Sequence, residues 1–145
     1  VIFIHGWLGS RNFWNLITPH LDLDNTLIFY DQRCHGDSDC SKFDIKSLDR
    51  DLKKLIEELE LEEPILVGHS MGGMTALKYA VEYDNLSGLC LLGTSASTPD
   101  PENKSVKYFL DRFDELDREE WAEKITENYV GRSENKEIKE MTRRE

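Results

Sequence analysis

The sequence predicts an α/β protein built on a parallel sheet, and three observations lead to that prediction. Its 145 residues are enough for one domain with a buried core. Short apolar runs alternate along the chain with segments whose apolar residues recur at helical spacing, the pattern of β-α-β units. A Gly-x-Ser-x-Gly turn, Gly68 to Gly72, lies where one apolar run ends and a helical pattern begins.

The individual elements follow from these patterns. Four apolar runs are predicted as strands: residues 1–4, 26–30, 65–67 and 86–92. Helical patterns lie between them: residues 11–22, where Pro19 disturbs the last turn, residues 44–61, and the segment from Ser70 to about residue 83. The second of these has the clearest apolar stripe, formed by Ile45, Leu48, Leu52, Leu55, Ile56 and Leu59. Right-handed crossovers between parallel strands would place helices on both faces of the sheet.

From Thr94 the pattern changes. The following segment is rich in proline, serine and threonine, which is typical of a linker. Two apolar stripes at helical spacing come next without an intervening strand; they consist of Val106, Phe109, Leu110, Phe113 and Leu116, and of Trp121, Ile125 and Tyr129. We therefore expect two parts, an α/β core over residues 1–97 and a helical lid or cap over residues 98–145.

The charge and hydropathy of the sequence limit the kinds of molecule that the protein is expected to bind. The net charge is −11 with no basic stretch, which argues against binding to nucleic acid or to an anionic membrane surface. No apolar run approaches the roughly 18 residues of a membrane span, and no signal-peptide pattern is present. We expect a cytoplasmic protein without a membrane span; the sequence does not predict its oligomeric state.

Three cysteines give an odd number without the spacing of metal ligands, so no metal site is predicted. Cys90 lies inside an apolar run and is expected to be a buried thiol. Cys34 and Cys40 lie six residues apart in a polar segment, where a disulfide is conceivable. Reduced thiols are the expected state, because the cytoplasm keeps most cysteines reduced.

The turn around Ser70 is the main functional signal. A strand entering Gly-x-Ser-x-Gly and a helix leaving it is the pattern of a nucleophile elbow, here Gly68, His69, Ser70 and Gly72. The positions two residues from the serine must be small because strand and helix nearly collide there. An idle serine in a nucleotide-binding turn is the alternative, but that turn needs Gly-x-Gly-x-x-Gly or Gly-Lys-Ser/Thr, and neither occurs.

Three stretches together resemble the α/β-hydrolase superfamily in its esterase-like branch: "VIFIHGWLGS", "YDQRCHGDSD" and "LVGHSMGG". The resemblance covers residues 1 to about 97. It implies a partial α/β-hydrolase fold with four mostly parallel strands in the order 2-1-3-4 and helices beside them, followed by the start of a helical cap. These strands would match the third to sixth of the family's eight.

The resemblance also implies roles for particular residues. Ser70 would be the nucleophile, and the backbone N–H groups of Trp7 and Met71 would form the oxyanion hole. The Trp7 side chain would line the acyl pocket, and the lid helices with Phe109 and Trp121 would cover it. The implied substrate is a small apolar acyl compound or ester, and no cofactor is expected.

The resemblance does not extend to the acid and the base that complete a catalytic triad with the serine. In the elbow fold the triad runs Ser, then Asp or Glu, then His along the chain. All four histidines precede Ser70; they are His5, His20, His35 and His69. We therefore expect the chain to be a fragment without the triad's base and, apart from the weak candidate Asp100, without its acid. The chain alone should be inactive unless His35 swings toward Ser70.

The second loop departs from the family's pattern, because Cys34 stands where the family usually has glycine. A positive φ at that position would be unfavourable for cysteine and would rearrange the loop. Its polar residues Arg33, His35 and Asp37 are expected to hydrogen-bond within the loop, and His5 is expected to be structural.

Two classes of function follow. The first is a serine hydrolase of carboxylesterase or thioesterase type; the same machinery also serves C–C bond hydrolases, acyltransferases and perhydrolases. The second is a non-catalytic relative that keeps the scaffold as a binding or receptor protein, which the intact elbow disfavours.

Overall fold

A computed structural model describes residues 1–97 and Glu120 of the chain. The chain divides into two compact units, Val1–Ser97 and Thr98–Glu145. The predicted lid helices, including Phe109 and Trp121, lie outside the described residues. Their assignment as a lid therefore stays a prediction.

The first unit is built on one sheet of four parallel strands. They are β1 (Ile2–Ile4), β2 (Ile28–Phe29), β3 (Ile65–His69) and β4 (Gly88–Leu92). Their order across the sheet is β2-β1-β3-β4, and each neighbouring pair is parallel. This confirms the predicted strand order and direction, although β2 is shorter than its apolar run and β3 continues through His69.

Two α-helices connect the strands, α1 (Ile45–Glu58) and α2 (Met71–Glu82). The Asp44 carboxylate caps α1 by accepting a 2.7 Å hydrogen bond from the N–H of Ser47. The predicted stripe of α1 is correct except for Leu59, which is 47% exposed. Leu59 follows the last helical residue as the C-cap and so lies beyond the packed face.

The predicted helix over residues 11–22 is instead a pair of 3-10 helices, Arg11–Leu16 and Thr18–His20. The Ser10 hydroxyl starts the first by accepting from the N–H of Asn12. Pro19 has no N–H to give to an i−4 carbonyl, which limits the segment to short turns. The spacing of apolar residues correctly predicted a helical backbone, but it did not distinguish a 3-10 helix from an α-helix.

Alternation along β1 separates two apolar layers. On one face Ile2 and Ile4 belong to a buried cluster that includes side chains of both α-helices: Leu52, Ile56, Leu66, Ala76 and Tyr79 complete it. On the other face the Phe3 ring contacts Trp14 of the first 3-10 helix at 5.1 Å between centroids and Phe29 at 5.0 Å. Helical segments thus flank the sheet on both faces.

Strand β4 is the outer strand beside β3. The prediction that Cys90 is a buried thiol is wrong, since Cys90 is exposed. Its neighbours Leu89, Leu91 and Leu92 are each more than a third exposed. The reason is topological: within the described residues β4 has only one neighbouring strand, so its apolar sequence does not by itself bring burial.

Candidate functional site

The sheet register brings two loops to one place. Ile4, the last residue of β1, pairs with Gly68 of β3, so the segments after both strands leave the sheet at the same end, the carboxyl end of its strands. A methyl group at Gly6 would lie 3.2 Å from Ser70 Cβ and 2.9 Å from His69 Nδ1. The loop after β1 therefore rests directly against Ser70. The carboxyl edge of a parallel sheet is where open α/β folds place their ligands.

Ser70 has an unusual backbone conformation. It lies between β3 and α2 with φ +51° and ψ −117°, a region that residues with a Cβ rarely adopt. Its N–H donates a 2.9 Å hydrogen bond to the carbonyl of Leu92 at the end of β4. Strain of this kind persists only where the surroundings enforce it, and it clusters at functional sites.

The two flanking glycines have no room for a side chain. A Cβ at Gly68 would lie 2.5 Å from the carbonyl oxygen of Gly72. A Cβ at Gly72 would lie 2.2 Å from the carbonyl oxygen of Ile4 and 2.4 Å from that of His5. Contacts this short with backbone atoms cannot be relieved by a rotamer change, so both positions require glycine.

The N–H of Met71 occupies the first position of α2. The first N–H groups of a helix have no acceptor within it, and the helix dipole makes this end electropositive. The carbonyl of the same peptide unit belongs to Ser70 and accepts from Thr94 Oγ1 at 2.6 Å and from the N–H groups of Gly73 and Met74. Because a peptide unit is planar, fixing this carbonyl also fixes the direction of the Met71 N–H.

The Trp7 N–H is held by the same principle. Its peptide partner, the carbonyl of Gly6, accepts hydrogen bonds from His5 Nδ1 at 2.8 Å and from the N–H of Gly9 at 3.2 Å. The Trp7 side chain is 45% exposed. The loop that contains Trp7 adjoins the turn of Ser70 and Met71 through the contact of Gly6 with Ser70.

His5 is buried and both of its ring nitrogens are used. Nε2 accepts from the N–H of Gln32 at 3.0 Å, so the ring proton lies on Nδ1 and is donated to Gly6. Burial lowers the pKa of His5 to about 4, although the hydrogen bond to the Gly6 carbonyl acts in the opposite direction. A neutral ring with two bonded nitrogens supports the loop and is poorly suited to proton transfer.

His69, next to Ser70, faces an apolar neighbour. Its ring stacks on Phe13 with centroids 4.7 Å apart and planes 17° from parallel. Among the described residues no group hydrogen-bonds to its buried Nδ1, and burial lowers the pKa of the ring. These contacts favour the neutral imidazole.

The loop after β2 is fixed by a buried carboxylate. Asp31 accepts from the N–H of Arg11 at 2.7 Å and from the N–H of Asp37 at 3.1 Å, and it pairs with the Arg11 guanidinium. Burial alone would raise the pKa of Asp31, but the N–H donors and the guanidinium outweigh it and lower that pKa. Gly36 has φ +52° and sits so close that a Cβ would lie 2.3 Å from the carboxyl group.

The other polar side chains of this loop also bind locally. Arg33 forms a bidentate pair with Asp51 of α1, at 2.5 and 2.6 Å, and donates to the carbonyl of Lys42 at 2.8 Å. His35 lies near His5, with ring centroids 5.2 Å apart, and its Nδ1 is 3.0 Å from the carbonyl of Arg33. These bonds match the predicted loop-fixing role and hold His35 in place.

The prediction of reduced thiols at Cys34 and Cys40 is wrong in this structure, where the two form a disulfide. The loop doubles back through a 3.1 Å hydrogen bond from the N–H of Cys34 to the carbonyl of Asp39, which brings the two Cα atoms to 4.0 Å. Cys34 has φ +64°, so this position does need the conformation for which the family's glycine is suited. A disulfide is uncommon in the cytoplasm, so the pair is at odds with the predicted location.

Sequence reasoning missed three polar residues that touch this site: Gln32, Thr75 and Thr94. Each follows an apolar run or lies within a helix, and no motif marks it. Only their hydrogen bonds to the backbone around Ser70 and His5 single them out.

Among the described residues, no helix combines the length and apolar character that crossing a bilayer requires.

Comparison with known proteins places the chain among relatives of the same fold. It is 30% identical over 113 residues to an abhydrolase domain-containing protein of Schizosaccharomyces pombe, a match over 75% of this chain and 42% of that protein. It is 34% identical over 85 residues to an sn-1-specific diacylglycerol lipase of Mus musculus, over 57% of this chain and 28% of that one. The matches thus cover less than half the length of these curated relatives.

Solved structures agree. A thermophilic esterase from Thermogutta terrifontis, solved with malate bound, matches with a TM-score of 0.78 and 28% identity, covering 99% of this chain and 56% of the esterase. The family model described as the alpha/beta hydrolase fold matches residues 1–144. With the strand order and the turn at Ser70 described above, the conclusion is direct: this chain belongs to the alpha/beta hydrolase family.

Proposed function

We propose that the chain carries the nucleophile and the oxyanion hole of a serine hydrolase that acts on carboxylic esters or thioesters. Ser70 Oγ attacks the acyl carbon while a general base takes its proton, and the ester or thioester bond breaks as the alcohol or thiol leaves with that proton. Water then hydrolyses the acyl-serine ester, which releases the carboxylic acid and regenerates Ser70. The N–H groups of Trp7 and Met71 receive the negative charge that develops on the acyl oxygen.

The observation that supports this most is the conformation of Ser70. A non-glycine residue at φ +51° costs free energy, yet the packing of Gly68 and Gly72 leaves the chain no other path between β3 and α2. The same geometry is what a nucleophile elbow needs in order to raise its serine above the sheet edge. A purely structural turn gains nothing from it.

The two N–H groups supply the second support. Both belong to peptide units whose carbonyls are fixed by hydrogen bonds, Gly6 through His5 and Ser70 through Thr94. Donors held in advance do not reorganise when charge develops, and each is worth about 3 kcal/mol in acyl transfer.

The base is proposed to come from outside these 145 residues. His5 uses both ring nitrogens, His69 stacks on Phe13, and His35 is bonded to the backbone of its own loop. The match covers 42% of one relative and 28% of another, which leaves ample sequence in those proteins for an Asp or Glu and a later His. On this proposal the chain by itself hydrolyses esters poorly.

The proposed substrate is a small apolar acyl compound. The half-exposed Trp7 side chain is proposed to line the acyl pocket, and the stripes with Phe109 and Trp121, outside the described residues, are proposed to cover it. Relatives named lipase and esterase fit this class. Acyl transfer, C–C bond hydrolysis and perhydrolysis would use the same serine and oxyanion hole, and the assay below separates them from a binding role.

The test is covalent labelling of the whole protein with an alkyl fluorophosphonate. Wild type and Ser87→Ala should be labelled alike, because Ser87 lies just before β4, at the opposite end of the sheet. Ser70→Ala should not be labelled and should lose turnover of p-nitrophenyl butyrate. Equal labelling of Ser70→Ala would overturn the assignment, and a wild type that neither reacts nor turns over would favour a non-catalytic binding protein.

A further inference from the structure

The side chain of Gln32 is 1% exposed and lies between the two segments that carry the oxyanion donors. It follows β2 and belongs to neither segment. A buried amide costs free energy unless its donors and acceptor are bonded, so its partners show what it holds.

On one side Gln32 donates two hydrogen bonds to the loop after β1. Its backbone N–H donates to His5 Nε2 at 3.0 Å, and its side-chain Nε2 donates to the carbonyl of His5 at 2.7 Å. A carbonyl can only accept, so the amide orientation is settled by this partner. His5 in turn holds the carbonyl of Gly6, whose peptide unit presents the N–H of Trp7.

On the other side Gln32 reaches α2. The Thr75 hydroxyl lies 3.3 Å from Gln32 Oε1 and 3.2 Å from the carbonyl of Met71, and its one proton is shared between these acceptors. Thr75 is fully buried, one turn after the start of the helix. A continuous set of hydrogen bonds therefore runs from the loop of Trp7 to the helix that begins with Met71.

We infer that Gln32 is a positioning residue that sets the distance between the two oxyanion N–H groups, with Thr75 as its anchor on α2. This inference rests on the proposed function. An oxyanion hole depends on placing its donors to within a fraction of an ångström of the developing charge. Hydrogen bonds fix both a distance and a direction, and those of Gln32 and Thr75 add to the close backbone contact of Gly72 with Ile4 and His5.

The experiment compares kcat, KM and the affinity for an alkyl trifluoromethyl ketone, with the whole protein and p-nitrophenyl butyrate. The ketone forms a tetrahedral adduct on the serine, and its oxyanion lies where the two N–H groups point. Gln32→Met keeps the volume and removes the side-chain bonds; kcat and ketone affinity should both fall about tenfold, with KM unchanged within about twofold.

Thr75→Val tests the same connection from the helix and should lower kcat and ketone affinity about threefold, whereas Thr75→Ser should restore both. Thr18→Val is the matched control, since Thr18 also donates to a carbonyl four residues earlier, that of Trp14, but belongs to the second 3-10 helix and not to α2; it should leave kcat unchanged. If Gln32→Met fails to fold, the two Thr75 variants decide.

A merely structural role would lower the melting temperature of Gln32→Met or Thr75→Val without changing kcat or ketone affinity, and that result would overturn the inference. A loss confined to KM would overturn it as well. Failure of the proposed function looks different: either Ser70→Ala keeps its turnover, or the wild type has no turnover at all. If Ser70→Ala is inactive while the variants of Gln32 and Thr75 behave as wild type, only the positioning role is wrong.

Discussion

Thr94 Oγ1 donates a 2.6 Å hydrogen bond to the carbonyl of Ser70, which joins the end of β4 to the turn that carries the proposed nucleophile. The contact is close on the helix side too, because a Cβ at Gly73 would lie 2.6 Å from Thr94 Cβ. The hydroxyl thereby fixes a peptide unit whose other end is the N–H of Met71.

Removing this hydroxyl should weaken the oxyanion site. Thr94→Val keeps the shape of the side chain, and we expect labelling of Ser70 by a fluorophosphonate to slow about three- to tenfold, the effect of one hydrogen bond. Thr94→Ser retains the donor and should label at nearly the wild-type rate. Equal rates for the valine and serine variants would show that the two helical N–H groups suffice to hold the Ser70 carbonyl.

The closeness of α2 to β1 predicts a sharp difference between two glycines. Gly72→Ala should lower the free energy of unfolding by about 3 kcal/mol, because its Cβ would meet the backbone oxygens of Ile4 and His5. Gly88→Ala is the control: its Cβ would lie 3.5 Å from the Ile65 side chain, an ordinary contact, and should change stability by less than about 1 kcal/mol. Urea unfolding of both variants checks this, and similar losses would contradict it.

Stability should depend on pH through His5. Its pKa is about 4 when folded, below the 6.5 of a free histidine, so between these values the unfolded chain binds more protons. The free energy of unfolding therefore falls as the pH drops from about 6.5 to about 4, by about 3 kcal/mol. His5→Asn can still donate toward Gly6 but does not titrate, so its profile should be flatter over this interval. Urea unfolding across the interval measures both, and parallel profiles would exclude His5 as the source.

The left-handed conformation of Cys34 can be separated from its disulfide. Cys34→Gly and Cys40→Ala both remove the bond to the partner cysteine, but only Cys34→Gly relieves the positive φ. Cys34→Gly should therefore be more stable than Cys40→Ala by about 1 kcal/mol in thermal unfolding, under oxidising and reducing conditions alike. The opposite order would mean that the Cys34 side chain contributes packing that outweighs the strain.

Much of the fold could be predicted from the sequence because local patterns carry it. The stripe of α1, the apolar runs of the four strands and the break between β3 and α2 are each visible in a dozen residues. The strand order came from the resemblance, since pairing joins residues far apart in the chain. The 3-10 turns before β2 were missed because i−3 and i−4 bonding share nearly the same apolar spacing.

For the candidate site, the sequence by itself identified the residues of the turn that carries the proposed nucleophile. Gly68, Ser70 and Gly72 form a motif whose meaning is steric, and the sterics are local to one turn. The sequence also shows directly that no histidine follows Ser70 within these 145 residues.

The tertiary structure alone decided what surrounds that turn. Gln32 stands 38 positions before Ser70 and Thr94 stands 24 after it, and neither belongs to a pattern. Parallel pairing of β1 with β2 and β3, and of β3 with β4, brings their carboxyl ends together, and only then do a buried amide and a hydroxyl reach the carbonyls of His5 and Ser70. The exposure of Cys90 was decided in the same way, because burial depends on which strands lie beside β4 and not on the apolar character of its own residues.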